Sequence, residues 1–189
     1  MVDSESIGSW SIGGHGWLRC DWPGFRRVDS PNFDARPEGL PVELLVIHNI
    51  SLPPDEFGGP GVEQLFTNCL DPQAHPYYEQ IEGLKVSSHF FIRRDGSLIQ
   101  FVSCLERAWH AGLSQWQGRE RCNDFSIGIE LEGCDTQPFE EAQYATLQRL
   151  VPVLRAAYPL CAVVGHADIA PGRKTDPGPC FDWSRLPTN

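Results

Sequence analysis

Two of the six histidines, His48 and His166, stand at the ends of short apolar runs rich in β-formers, VELLVIH at 42–48 and CAVVGH at 161–166. If those runs are neighbouring parallel strands, both imidazoles emerge at the same end of one sheet, within reach of a single metal ion. Hydrolytic zinc sites commonly take three protein ligands and leave a fourth position for water. An oxygen ligand is therefore wanted nearby, and the loop after His166 offers Asp168 and Asp176. Spacing does not choose between the aspartates, and two unconnected structural histidines are the competing reading. Glu130 and Glu132 fall on one face of the run IGIELE at 127–132. A carboxylate beside acidified water is a general base, and a solvated strand-face glutamate is the plain alternative. Lys174, in RKTD, could face a developing oxyanion or simply be solvated. Cys122 could be paired with His110 as a thiol nucleophile, but no local signature supports it, and an isolated cysteine is usually a small buried residue. Trp109, in WHAG, could stack on a sugar ring or pack in the core.

The elements that must hold these residues can be read in outline. VELLVIH reads as a buried strand followed by a Pro/Gly-rich loop. Val62 to Leu70 has helical apolar spacing. Ser88 to Arg94 and Ser97 to Val102 flank Asp95-Gly96, a hairpin signal that calls for positive φ at both turn residues. IGIELE alternates as a half-buried strand does. Pro138 to Tyr158 carries Ala142, Leu147, Leu150, Val151 and Leu154 at helical spacing, with Pro152 expected to kink or split the helix. CAVVG is another buried strand, and the Gly/Pro-rich segment that follows is expected to be irregular. Residues 1–41, with Trp10, Trp17 and Trp22, read as an irregular arm that partly docks. The order strand, helix, hairpin, strand, helix, strand predicts an α/β (α+β) class, a single domain with a central mixed β-sheet flanked by helices.

Composition sets the outer bounds. The chain has 189 residues, 15 Lys+Arg against 25 Asp+Glu and a net charge of -10. That length suits one domain of ~100–200 residues, and the negative balance disfavours nucleic acid as a partner. No apolar run approaches the ~18 residues of a membrane span. Seven cysteines without a CxxC pair argue against a disulfide framework, and the first twenty residues do not look like a signal peptide. Together these favour the reducing cytosol.

Four segments, IHNISLPPDEFGGPG, VSSHFFIRRDGSLIQFV, RAWHAGLSQWQGRERCNDFSIGIELEG and GHADIAPGRKTDPGPCFDW, together resemble one family. This is the AmpD-type cytoplasmic 1,6-anhydro-N-acetylmuramoyl-L-alanine amidases, in the zinc-dependent superfamily that also includes phage T7 lysozyme and peptidoglycan recognition proteins. The resemblance runs from about Gly16 to Trp183. It implies an amidase domain over 16–189 and leaves 1–15 as an uninterpreted extension. It also implies one zinc ion per chain, with His48, His166 and Asp176 as ligands and Asp168 as a spectator. Glu130 matches the family's acid/base, and Lys174 the residue that supports the tetrahedral intermediate. Asn49, Trp109, Arg121, Leu131 and Arg173 match positions lining the groove for anhydro-sugar and stem peptide. Lys85 stands where the family often has arginine, which keeps the charge but loses bidentate carboxylate binding.

The implied reaction is hydrolysis of the amide between the lactyl group of (anhydro-)N-acetylmuramic acid and L-alanine. Its setting is the recycling of cell-wall muropeptides and, through them, β-lactamase induction. Anhydro-muropeptides are the expected partner, with neither nucleic acid nor membrane, and a monomer is the expected state. The rival from another class is a noncatalytic muropeptide-binding module, which typically lacks a complete ligand set. A stem peptide is acidic, so a basic rim is expected from Arg93, Arg94, Arg119, Arg121, Arg173 and Lys174.

Overall fold

The computed structural model describes residues 9–187; most of the 1–15 extension therefore lies outside the described residues. Six strands form the main sheet: β1 (Phe25–Arg27), β2 (Leu44–Ile50), β3 (Phe90–Ile92), β4 (Leu98–Gln100), β5 (Ser126–Glu132) and β6 (Ala162–Gly165), in the spatial order β6-β2-β5-β3-β4-β1. β6, β2, β5 and β3 run parallel, β3 and β4 form an antiparallel hairpin, and β1 closes the edge parallel to β4. The sheet is mixed and helix-flanked, as expected. The helices are α1 (Gly61–Phe66), α2 (Pro76–Gln80), α3 (Glu141–Ala157) and the single turn α4 (His166–Ile169).

Period-2 alternation decides which residues meet which layer. Ile127, Ile129 and Leu131 of β5 join Leu45 and Ile47 of β2 in a core shared with Leu147, Leu150, Val151 and Leu154 of α3. Ser126, Gly128, Glu130 and Glu132 consequently point to the opposite face. On that side Phe91 and Ile99 pack with Val62, Leu65 and Phe66 of α1 and with Tyr78 of α2.

Three local expectations change. At the hairpin only Gly96 has positive φ, and Asp95 instead accepts the Ser97 N–H at 2.9 Å. α3 runs unbroken through Pro152, because that proline sits on the exposed face and the carbonyl it orphans belongs to exposed Gln148. Part of the Gly/Pro-rich tail does form regular structure, as α4. The arm docks but is not irregular throughout, since its residues Phe25–Arg27 form the edge strand β1; Trp10, Ile12 and Trp22 pack against the α3 core, with the Trp10 and Trp22 rings 5.5 Å apart.

His89 is buried beneath the sheet. Its Nδ1 accepts the Gly128 N–H at 3.0 Å, and its Nε2 donates to the Glu106 carbonyl at 3.1 Å. Burial, with the Arg36 guanidinium beside it, lowers this imidazole to about 3. Unfolded histidine titrates near ~6.5, so between those values the unfolded state binds the extra proton and stability rises with pH. Acidification below pH ~6.5 should therefore cost about 1.4 kcal/mol per pH unit for this group. Urea midpoints of metal-free protein measured from pH 7 to 4 should fall, and His89→Gln should flatten the slope by about that amount.

Candidate metal and catalytic site

The parallel register builds the site. Gly165 pairs with Ile47, so His166 and His48 leave β6 and β2 side by side, and Glu130 of β5 pairs with His48 from the other flank. Three neighbouring strands thus deliver three chemical side chains to one end of the sheet, where α/β sheets commonly place their sites. The loop after α4 returns to the same place: the Ala167 N–H donates to the Asp176 carbonyl at 2.9 Å.

His48 Nδ1, His166 Nδ1 and Asp176 Oδ2 converge. The two nitrogens lie 3.0 Å apart, and the carboxylate oxygen lies 3.0 Å from His48 and 3.1 Å from His166. Among the described residues this is the group of three or more His, Cys, Asp or Glu side chains able to hold a metal ion, and all three are buried. Zinc with ligands at about 2.0–2.1 Å in a tetrahedron separates neighbouring donors by roughly 3.3 Å. The observed spacings lie just inside that value, and two imidazoles with one carboxylate suit zinc chemically, so the residues fit the ion. Asp168 is elsewhere: its Oδ2 accepts the Gly165 N–H at 2.7 Å and closes the start of α4.

The Glu130 carboxyl is buried in the same cleft, with Oε1 3.9 Å from His48 Nδ1 and Oε2 without a hydrogen-bond partner. Burial, then the nearby Asp176 carboxylate, push it well above the usual range, with Lys174 opposing. For Asp176, burial would raise the carboxyl, but hydrogen bonds from His166 and His48 hold it below the ordinary value. Burial lowers His48 to about 4, against the pull of Asp176. The two carboxyls, both near Lys174, are thus pushed apart, as in sites that need one proton carrier and one permanent anion.

The cleft is walled by His48, Asn49, Trp109, His110, Glu130, His166, Lys174 and Asp176, and it continues over Leu65, Ile81 and Leu84. Trp109 is held by its edge, with Nε1 donating to Asp34 at 3.2 Å. Asn49 spends its amide N–H groups on Asp135 Oδ1 (2.7 Å) and the Pro177 carbonyl (3.1 Å), which leaves its oxygen for a ligand. Lys85 is not in this wall; it lines an adjoining hollow that shares Leu65, Ile81 and Leu84 with it. Arg121 lies beyond Gly112 in a separate hollow that Arg173 also borders.

Leu131 requires a correction. It is fully buried in the α3 core, on the face of β5 opposite Glu130, so no side-chain contact with a ligand is available to it. The basic rim shrinks too, because Arg93 is 4.0 Å from Glu132, Arg121 is 3.2 Å from Asp124, and Arg94 and Arg119 pair with Glu140 and Glu43. Of the six cations, Arg173 and Lys174 have no carboxylate partner among the described residues. Glu132 proves to be a loop anchor, accepting the N–H groups of Gly58 and Arg94. The Cys122–His110 pair does not form: Cys122 is buried, and the two ring nitrogens of His110 meet His48 and Ser126. All seven cysteines are free.

No local motif assigns the part His110 plays at this site. The available signal was Gly128, a glycine at the centre of a strand whose neighbours are Ile127 and Ile129. Glycine weakens a strand interior, and it often marks the close approach of another group.

The sequence profile of the family described as N-acetylmuramoyl-L-alanine amidase matches residues 38–179. The 1,6-anhydro-N-acetylmuramyl-L-alanine amidase AmpD of Escherichia coli (strain K12) is 58% identical over 173 residues, which cover 90% of this chain and 92% of that protein. A crystal structure of a selenomethionine AmpD derivative superposes with a TM-score of 0.86 at 55% identity, covering 91% of this chain and 95% of that one. The E. coli amidase AmiD, solved with the substrate anhydro-N-acetylmuramic acid-L-Ala-D-gamma-Glu-L-Lys, matches at a TM-score of 0.57 and 32% identity. That match covers 93% of this chain and 63% of AmiD.

Proposed function

The chain belongs to the N-acetylmuramoyl-L-alanine amidase family, and from that membership we propose that it uses one zinc ion, held by His48, His166 and Asp176, to cut the lactyl–L-alanine amide of anhydro-muropeptides. Its activity is that of the AmpD-type enzymes, anhydro-muramyl-L-alanine amidase action in peptidoglycan recycling. The finer reading adds the zinc dependence, a cytoplasmic monomer, and an influence on muropeptide-sensed β-lactamase induction. No helix among the described residues is long and apolar enough to cross a membrane. The observation that carries the proposal is the convergence of His48, His166 and Asp176 beside the buried Glu130 carboxyl, whose Oε2 has no hydrogen-bond partner, in one cleft.

When bound, the zinc ion supplies Lewis acidity, polarising the amide carbonyl and acidifying water toward a pKa of ~7. Glu130 takes the water proton and later delivers it to the alanine nitrogen, which leaves as an amine; its raised affinity for protons suits the second half of that task. Lys174 faces the same cleft and offsets the negative charge that develops on the carbonyl oxygen. Trp109 forms one wall for the sugar, and the Asn49 oxygen accepts a donor from the ligand. Arg173, whose guanidinium donates to the Ala111 and Leu113 carbonyls, supplies positive charge from the adjoining hollow for the acidic stem. Arg121 and Lys85 border the adjoining hollows and would meet only ligands long enough to leave the cleft.

The direct test incubates zinc-loaded protein with anhydro-muropeptide and with intact peptidoglycan, and detects released peptide by mass spectrometry. Release from the anhydro-muropeptide is expected, and release from neither would remove the reading. Lys174→Met should lower kcat by about 10²–10³-fold with KM little changed, the pattern of an interaction made mainly in the transition state. Steady-state kinetics on the same muropeptide checks it.

A further inference from the structure

The rings that converge on the metal site are also held from behind, and one short segment holds both. His48 Nε2 lies 2.9 Å from His110 Nδ1, and His110 Nε2 lies 3.1 Å from Ser126 Oγ. His166 Nε2 lies 3.1 Å from the carbonyl of Ala111, the next residue in the chain. The segment is itself clamped: the backbone N–H groups of His110 and Ala111 both donate to the side-chain oxygen of buried Asn123, at 3.2 and 2.8 Å.

The directions of these bonds follow from the site. A ligating nitrogen carries no proton, so Nδ1 of both His48 and His166 must be bare and Nε2 of each must carry the hydrogen. His166 Nε2–H then donates to the Ala111 carbonyl. His48 Nε2–H donates to His110 Nδ1, which must be bare in turn, and His110 Nε2–H donates to Ser126. The fold makes room for this arrangement at a cost. A Cβ at position 128 would lie 2.6 Å from His110 Cγ and 2.7 Å from its Nδ1, so only glycine lets the imidazole sit against the middle of β5.

We propose that His110 is a positioning residue which, with the Ala111 carbonyl and under the Asn123 clamp, sets the tautomer and ring orientation of both histidine ligands. His110 makes no contact with the reacting bond in this role; it acts through His48. The inference rests on the zinc reading given above. Partners of this kind typically contribute 10–100-fold in metal affinity or activity.

Three measurements test it. Nitrogen-15 NMR of zinc-loaded wild-type protein should find His48 and His166 coordinated through Nδ1 and protonated at Nε2, with His110 also the Nε2–H tautomer. A proton on His110 Nδ1 would overturn the proposal, and this reading needs no variant. Zinc affinity, by competition with a chromophoric chelator, should fall about 10–100-fold in His110→Leu. It should be largely recovered in His110→Asn, whose side-chain oxygen reaches about where Nδ1 sits. The cobalt-substituted His110→Leu protein should show a shifted d–d spectrum, because the His48 ring is free to turn. Unchanged affinity in folded His110→Leu, or an asparagine variant as weak as the leucine one, would sink the relay alone. Wild-type protein that takes up no zinc would instead overturn the metal assignment on which it stands.

Discussion

Glu130→Gln should leave the protein folded and zinc uptake at the wild-type level, while kcat falls by about 10²–10⁴-fold. The substitution preserves shape and removes the ability to carry a proton. The ligand set survives, because Glu130 Oε1 stands 3.9 Å from His48 Nδ1 and the convergent donors are His48, His166 and Asp176. Stability gives the result a second, independent sign. Burial raises the Glu130 carboxyl well above its ordinary range. The folded protein therefore binds the proton more tightly than the unfolded chain does, and ionising the group costs stability as pH rises from ~4.3 through the raised value. Glutamine cannot ionise, so metal-free Glu130→Gln should melt at or above the wild-type temperature at pH 8. Kinetics on anhydro-muropeptide, zinc analysis and a thermal melt decide the case. A variant that loses zinc or melts much lower would show Glu130 to be structural, and one that keeps its rate would remove it from the chemistry.

The other large effect is expected at the metal. Treatment with a strong chelator should abolish turnover, and stoichiometric zinc should restore it in the wild type but not in Asp176→Asn. Asp176 is the one anion among the three proposed ligands. Burial works against its charge, yet in the metal-free site hydrogen bonds from the two imidazoles hold the carboxyl below its usual range. Asparagine keeps an oxygen of similar reach and removes the charge that a divalent cation most needs in a buried site. Zinc affinity should therefore drop by more than the about 10–100-fold that loss of an outer partner costs. Chelator competition on both proteins measures it, and equal affinity would show that Asp176 does not hold the ion. The sign with pH follows: the stabilisation from the ionised Asp176 is full above ~3.9 and is lost as pH falls through its lower folded value.

Much of this was legible along the chain because it depends on neighbours in sequence. Alternation in IGIELE put Glu130 and Glu132 on one face, and the apolar runs ending at His48 and His166 announced strands with histidines at their tips. The choice of Asp176 over Asp168 came from motif resemblance, since both lie in one loop and local pattern treats them alike. The motif's outline also carried Leu131 into the groove, although the alternation that faced Glu130 toward the cleft already turned Leu131 the other way.

Local pattern along the chain therefore set the kinds of candidate ligand, their places at strand ends and the face each strand presents, because period and turn chemistry act over a few residues. Which groups stand behind them follows from the folded sheet alone. His110 reaches His48 across 62 positions, and Arg119 is neutralised by Glu43 across 76, and no local period links such pairs. The first depends on the register of β2 and β5 and on the room left at Gly128, quantities that exist only after the sheet has closed.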